Sequence, residues 1–148
     1  MGRVLTTLIV VVLLGVHALL VGIGLAGLFE WFVADPPWAR FSNTDLPRWM
    51  LLFQWLLLIG AGVLFIAGYL TRWRWLPFAM AGMYAIMGGV CIVQTFTMLT
   101  NDNRFTNLAI EFLEYTVILL FLFGAPEMRR RFARDRFRNA GSGVADSQ

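Results

Sequence analysis

Four long apolar runs, broken by three short polar stretches and followed by a basic tail, lay out the whole chain. The first, Val4–Phe29, is 26 residues without a formal charge when His17 is neutral. A helix of about 20 apolar residues crosses a bilayer, so this run is long enough with tilt to spare. Trp49–Thr71 is the second run, with Gln54 near its start. Trp75–Thr100 is the third, with Pro77 in its first turn, where a missing N–H is tolerated. Asn107–Gly124 forms most of the fourth, which carries Glu111 and Glu114. Pro36 and Pro37 cannot continue the first helix. Ser42, Asn43, Thr44 and Asp45 favour turns and caps. Arg72–Trp75 is a tight hairpin, and Asn101–Arg104 is a short polar loop. Trp31, Trp38 and Trp49 bracket the first break as interfacial anchors do. The pattern predicts an all-α fold, a four-helix transmembrane bundle with spans at about 4–29, 49–71, 75–100 and 105–124. It forms one domain over 1–126, followed by a tail over 127–148.

Composition agrees with that pattern. Of the 148 residues, 59% are hydrophobic and 14% charged, against about 25% charged in soluble domains. All 12 basic residues are Arg, so lysine Schiff-base chemistry is excluded. Cys91 is the one cysteine, which excludes an internal disulfide and a C-x-x-C redox motif. A cleaved secretory signal would have an apolar core of about 7–15 residues, shorter than the first run, so a retained span is expected. Arginine counting sets the orientation. Arg3, Arg72, Arg74 and the six tail arginines lie on one face, and Arg40, Arg48 and Arg104 on the other. Both termini are therefore expected in the cytoplasm, with a multi-pass location in the inner (plasma) membrane.

The polar residues inside the spans carry the candidate chemistry. Glu111 and Glu114 are three apart and so near one helix face. At 1.5 Å per residue from Phe105, they lie roughly 9 and 13 Å deep. A charge in hydrocarbon costs at least about 2.5 kcal/mol, so neighbours should receive them. Gln54 and Gln94 fall at similar depth, Glu30 marks the outer end of the first span, and His17 lies near the midplane. Tyr115 is adjacent to Glu114. One outward-opening polar pocket of Glu111, Glu114, His17, Gln54, Gln94, Tyr115 and Glu30 is the expectation. Within it Glu114 would be the more buried acid, bonded to His17, and the inner half of the bundle would be dry. The competing reading is a structural network, in which such groups serve as interhelical glue worth about 0.6 kcal/mol each. A zinc set of His17, Glu111 and Glu114 is set aside, because catalytic zinc needs three well-placed protein ligands. No metal or covalently held cofactor is expected. Ala18, Gly22 and Ala26, and likewise Ala81, Ala85 and Gly89, form small-residue stripes expected to be packing seams. Met80, Met83, Met87 and Met98 read as packing residues.

The tail has arginines at 129, 130, 131, 134, 136 and 138 with Met128, Phe132 and Phe137 among them. Such a segment beside a span points to anionic headgroups, with Arg129, Arg130, Arg131 and Arg134 as the contacts. Nucleic acid is not an expected partner. No nucleophile triad, phosphate loop or nucleotide fingerprint occurs.

The second half carries a resemblance. Gly60, then Gly68-Tyr69-Leu70-Thr71-Arg72, a short hairpin, a small-residue third span, a polar Asn-containing loop and an acidic fourth span ending at Gly124 follow in order. Over about residues 49–128 this resembles the DoxX-like family of small four-helix integral membrane proteins. Many relatives have an acidic residue where this chain has Gln54, and a Lys-bearing segment where it has Glu30-Trp31-Phe32. The resemblance implies a non-catalytic subunit or anchor, quinone-facing or partner-holding, with redox centres on other chains. Membrane lipids and a soluble or membrane protein are the implied partners, and quinone the implied ligand. The alternative is a small transporter or proton-conducting protein that uses the two glutamates, and a third reading is a structural anchor engaged through the tail.

Overall fold

The computed structural model describes residues 3–33, 46–100 and 102–133. Within them the chain is all-helical, with α1 Arg3–Phe32, α2 Arg48–Leu70, α3 Leu76–Thr97, α4 Arg104–Gly124 and α5 Pro126–Ala133. The first four are long and apolar enough to cross a membrane. α1, at 30 residues, reaches about 45 Å and outruns a ~30 Å hydrocarbon core. The helices pack in chain order, each against the next. The start of α1 and α5 share one end of the bundle, where the Thr6 hydroxyl donates to the Glu127 carboxylate.

The hairpin between α2 and α3 closes on Arg72, the one non-glycine residue with positive φ among those described, at 56°. Trp73 N–H donates to Gly68 O at 2.8 Å and Arg72 N–H to Tyr69 O at 3.3 Å. This is the Schellman pattern with arginine at the position glycine usually fills. α3 then starts with Pro77 in its first turn. It ends at Thr97, earlier than expected, where Met98 and Leu99 N–H both turn back to Gln94 O.

α5 was not expected as a helix. Pro126 lacks the N–H that would extend α4, and a proline fits the first position of a new helix. Met128 and Phe132, four apart, are buried, while Arg129 and Arg130 face out. These two join Val10, Leu13, Ala61, Phe65, Leu76, Met80 and Leu122 in an apolar core at the α5 end. Met80 and Met87 are core, as expected of packing residues.

The small-residue stripes behave differently from the expectation. A Cβ on Gly22 or Gly89 would meet nothing within 4 Å, and Ala18 and Ala85 are exposed. The close approaches lie one face over. A Cβ on Gly24 would sit 2.8 Å from Trp55 O, and one on Gly62 would sit 2.5 Å from His17 O. Spacing by four marks a stripe but not which stripe meets a partner; the indole of Trp55, buried against Gly27, decides it.

Candidate functional site: a polar line from Glu111 to His17

α3 carries one inward stripe, Met80, Tyr84, Met87, Cys91 and Gln94, spaced as a helix face requires. Three of the five are polar or titratable, and each meets a different neighbour. Nearest the α3–α4 loop, the Gln94 amide donates to Gln54 Oε1 at 3.2 Å, and Gln94 is buried. The two glutamines thus pair with each other across α2 and α3.

One turn deeper, Cys91 lies beside Glu111 and Tyr115, both on α4. Glu111 is half-buried, and its Oε2 is buried without a hydrogen-bond partner. Tyr115 stacks on Tyr84 with centroids 4.8 Å apart and an interplanar angle of 9°. Tyr84 in turn meets His17, with its hydroxyl 2.8 Å from Nε2.

His17 is fully buried, at 0% exposure. Its ring stacks on Phe65 with centroids 3.8 Å apart. Nδ1 lies 2.7 Å from Leu13 O. A carbonyl can only accept, so Nδ1 carries the proton, and in the uncharged ring Nε2 accepts from the Tyr84 hydroxyl. The line therefore runs Glu111, Cys91, Tyr115, Tyr84, His17, and links α4, α3 and α1.

Two expectations about the acids are corrected. His17 bonds Tyr84, and Glu114 is not its partner. Glu114 is exposed, and Glu111 is the more buried of the two. The cause is geometric. α4 touches the bundle along one narrow stripe of Leu108, Glu111, Tyr115, Ile118 and Leu122. A residue three positions on from Glu111 is rotated about 60° around the helix, and on so narrow a stripe that is enough to leave it. His17, Glu111 and Glu114 do not assemble as a ligand group; among the described residues no cluster of three or more His, Cys, Asp or Glu exists. Glu30 is half-buried near the C-terminal end of α1, next in sequence to Trp31, which makes an edge contact with Trp55.

Tyr84 and Cys91 join the site without having been expected in it. Tracing the α3 stripe from Met80 at helical spacing would have found both. Of the tail residues, Arg129 and Arg130 are exposed. Arg131 turns inward: its guanidinium lies 4.0 Å from the Tyr69 ring centroid and Nη2 donates to Tyr69 O at 3.2 Å. It docks α5 onto α2. Arg134 lies outside the described residues.

Comparison with protein families, with curated proteins and with solved structures gives no significant match.

Proposed function

We propose that this chain is a non-catalytic membrane subunit or anchor whose Glu111 site takes the polar head of a membrane-soluble ligand, a quinone by preference. Its α1 and α5 ends face the cytoplasm of an inner (plasma) membrane in this reading. A DoxX-like role beside a redox complex, with the redox centres on partner chains, is the context we favour. The supporting observation is Glu111 Oε2, which is buried and has no partner among the described residues. Leaving such an atom unpaired costs about 1–3 kcal/mol, a cost that a ligand hydroxyl would relieve. A carboxyl group suits both ligand forms: ionised it accepts from a quinol O–H, and protonated it donates to a quinone carbonyl. Glu111, Cys91 and Tyr115 are half-buried. Exposed Ile92 and Phe112 flank them, an apolar surround that suits a membrane-soluble ligand.

Purification from native membranes, with mass spectrometry of bound quinones, lipids and proteins, tests the reading. Quinone should be enriched over its membrane content. Glu111→Gln should lower retention at least tenfold with the helical content unchanged, and Glu114→Gln should leave it unchanged. No enrichment, or equal loss from both variants, would count against the site.

A second reading rests on the His17–Tyr84 bond and the Tyr84–Tyr115 stack. Together they place titratable groups in line through the middle of the bundle, as a proton relay needs. Proton uptake into proteoliposomes distinguishes it: Tyr84→Phe should abolish flux in a relay and leave quinone retention intact.

A further inference from the structure

The α5 end of α4 carries a groove separate from the polar line. It has a volume of about 430 Å³ and is lined by Thr116, Leu119, Leu120, Phe123, Gly124 and Arg129. From Gly124 to Thr116 it runs about 12 Å along α4, from the bundle end toward its middle. Between Thr116 at its inner end and the Arg129 guanidinium at its mouth, the lining is apolar. Arg129 Nε donates to Phe123 O at 2.6 Å, which satisfies one of the orphan carbonyls at the end of α4. That bond fixes the guanidinium over the mouth. Its two terminal nitrogens meet no acceptor among the described residues.

Three observations place the mouth at headgroup level and give it positive charge. Trp73 and Trp75, exposed in the α2–α3 hairpin at the same end, are typical of the membrane–water boundary. Arg74 lies over the Trp75 ring, 5.2 Å from its centroid. Glu127, the one acid of α5, is turned away and engaged by Thr6, while Arg130 is exposed beside Arg129. A cation at the boundary above an apolar trough leading inward matches one molecule in its two halves, a phosphate head and an acyl chain.

We propose that this groove seats one acyl chain of an anionic phospholipid, with its phosphate bound by Arg129. Gly124 lines the groove; a Cβ there would meet nothing within 4 Å, and its φ is not positive. A side chain added at Gly124 therefore fills the groove without straining the fold.

The full chain in detergent, titrated with phosphatidylglycerol or phosphatidylcholine and read by native mass spectrometry, tests this. Phosphatidylglycerol should be retained in preference to phosphatidylcholine. Arg129→Gln should weaken retention about fivefold, the loss of one surface arginine contact, and Arg130→Gln should weaken it less. Gly124→Leu, with Arg129 intact, should abolish retention while helical content and unfolding midpoint stay unchanged. Equal retention of both lipids would overturn the phosphate contact. Unchanged retention in Gly124→Leu would overturn the groove. Binding of soluble glycerol phosphate as tight as that of phosphatidylglycerol would show a phosphate site that needs no acyl chain, and would overturn the lipid assignment. Should Gly124→Leu fail to fold, the lipid preference and Arg129→Gln still decide the claim.

Discussion

Replacing Gly62 with alanine probes the contact that sets His17 in register. The new Cβ would lie 2.5 Å from the backbone carbonyl oxygen of His17 and 2.5 Å from Val21 Cγ2. The valine methyl can rotate, but the carbonyl belongs to the α1 backbone and cannot. α1 must therefore shift away from α2 until the contact is ordinary. Overpacking of this kind costs about 1–3 kcal/mol. Alanine returns about 1 kcal/mol of helix propensity over glycine, so the net loss is about 0–2 kcal/mol, and the deficit against a site with open space is the full overpacking cost. Gly82→Ala is the control, because a Cβ there meets nothing within 4 Å; it should be neutral or gain up to about 1 kcal/mol. Unfolding by sodium dodecyl sulfate in mixed micelles, followed by circular dichroism, gives both values. The shift should also disturb the 2.8 Å contact between His17 Nε2 and Tyr84, visible as a changed imidazole nitrogen resonance. If Gly62→Ala is as stable as Gly82→Ala, the close packing of α1 on α2 is refuted.

Glu111→Leu and Glu114→Leu should separate in opposite senses. Glu114→Leu should ease insertion of α4 by about 3 kcal/mol on the translocon scale with no loss of bundle stability, as measured by glycosylation mapping and detergent unfolding. Glu111→Leu should cost bundle stability, because Cys91 and Tyr115 lose the carboxyl they reach. Arg72→Gly should stabilise by about 1 kcal/mol, since it relieves a left-handed non-glycine residue; thermal unfolding in detergent reads it. A double-mutant cycle on Gln54→Leu and Gln94→Leu should give a coupling near 0.6 kcal/mol, and a coupling of zero would mean that the bond contributes nothing. In a Cys91→Ser background, Ser42→Cys should label from outside intact cells and Ser142→Cys only after permeabilisation; the reverse pattern would invert the proposed orientation.

The four long helices were legible because apolar length alone forces them. A run such as Val4–Phe29, lacking charge, has few other stable arrangements in a bilayer, and α1 extends only three residues past it. The end of α3 was less legible. Met98 and Leu99 are apolar enough to continue the run, and their turn back to Gln94 O depends on tertiary placement. α5 was hidden by composition: its arginines read as a tail, while Met128 and Phe132 at four-residue spacing were the signal of an amphipathic helix. The polar site was half legible. Depth counting placed Glu111, Gln54, Gln94 and His17 in the middle and outer part of the bundle. It could not supply rotation, because 1.5 Å of rise fixes height while the partner of each face depends on neighbours. Rotation is what pairs Gln54 with Gln94 and leaves His17 bonded to Tyr84 with Glu114 exposed.

The position of the acids and the loose attachment of α4 have one cause. α1 and α2 meet through residues whose backbones approach closely, such as Gly24 and Gly62, and a charge has no room there. Only Leu122 of α4 is fully buried, so this helix retains a side wet by lipid and a narrow side that touches α3. On that narrow side the half-buried Glu111 carboxyl meets Cys91 and Tyr115. Its Oε2 is buried there and has no hydrogen-bond partner among the described residues. Leaving that buried oxygen unpaired costs about 1–3 kcal/mol, whereas releasing α4 to expose it would break the Tyr84–Tyr115 stack. α4 is held between these two costs. A molecule that hydrogen-bonds Oε2 removes the first without incurring the second. Ligand binding at Glu111 should therefore draw α4 onto α3, which slows hydrogen exchange along Leu108–Ile118 and leaves α1 and α2 unchanged.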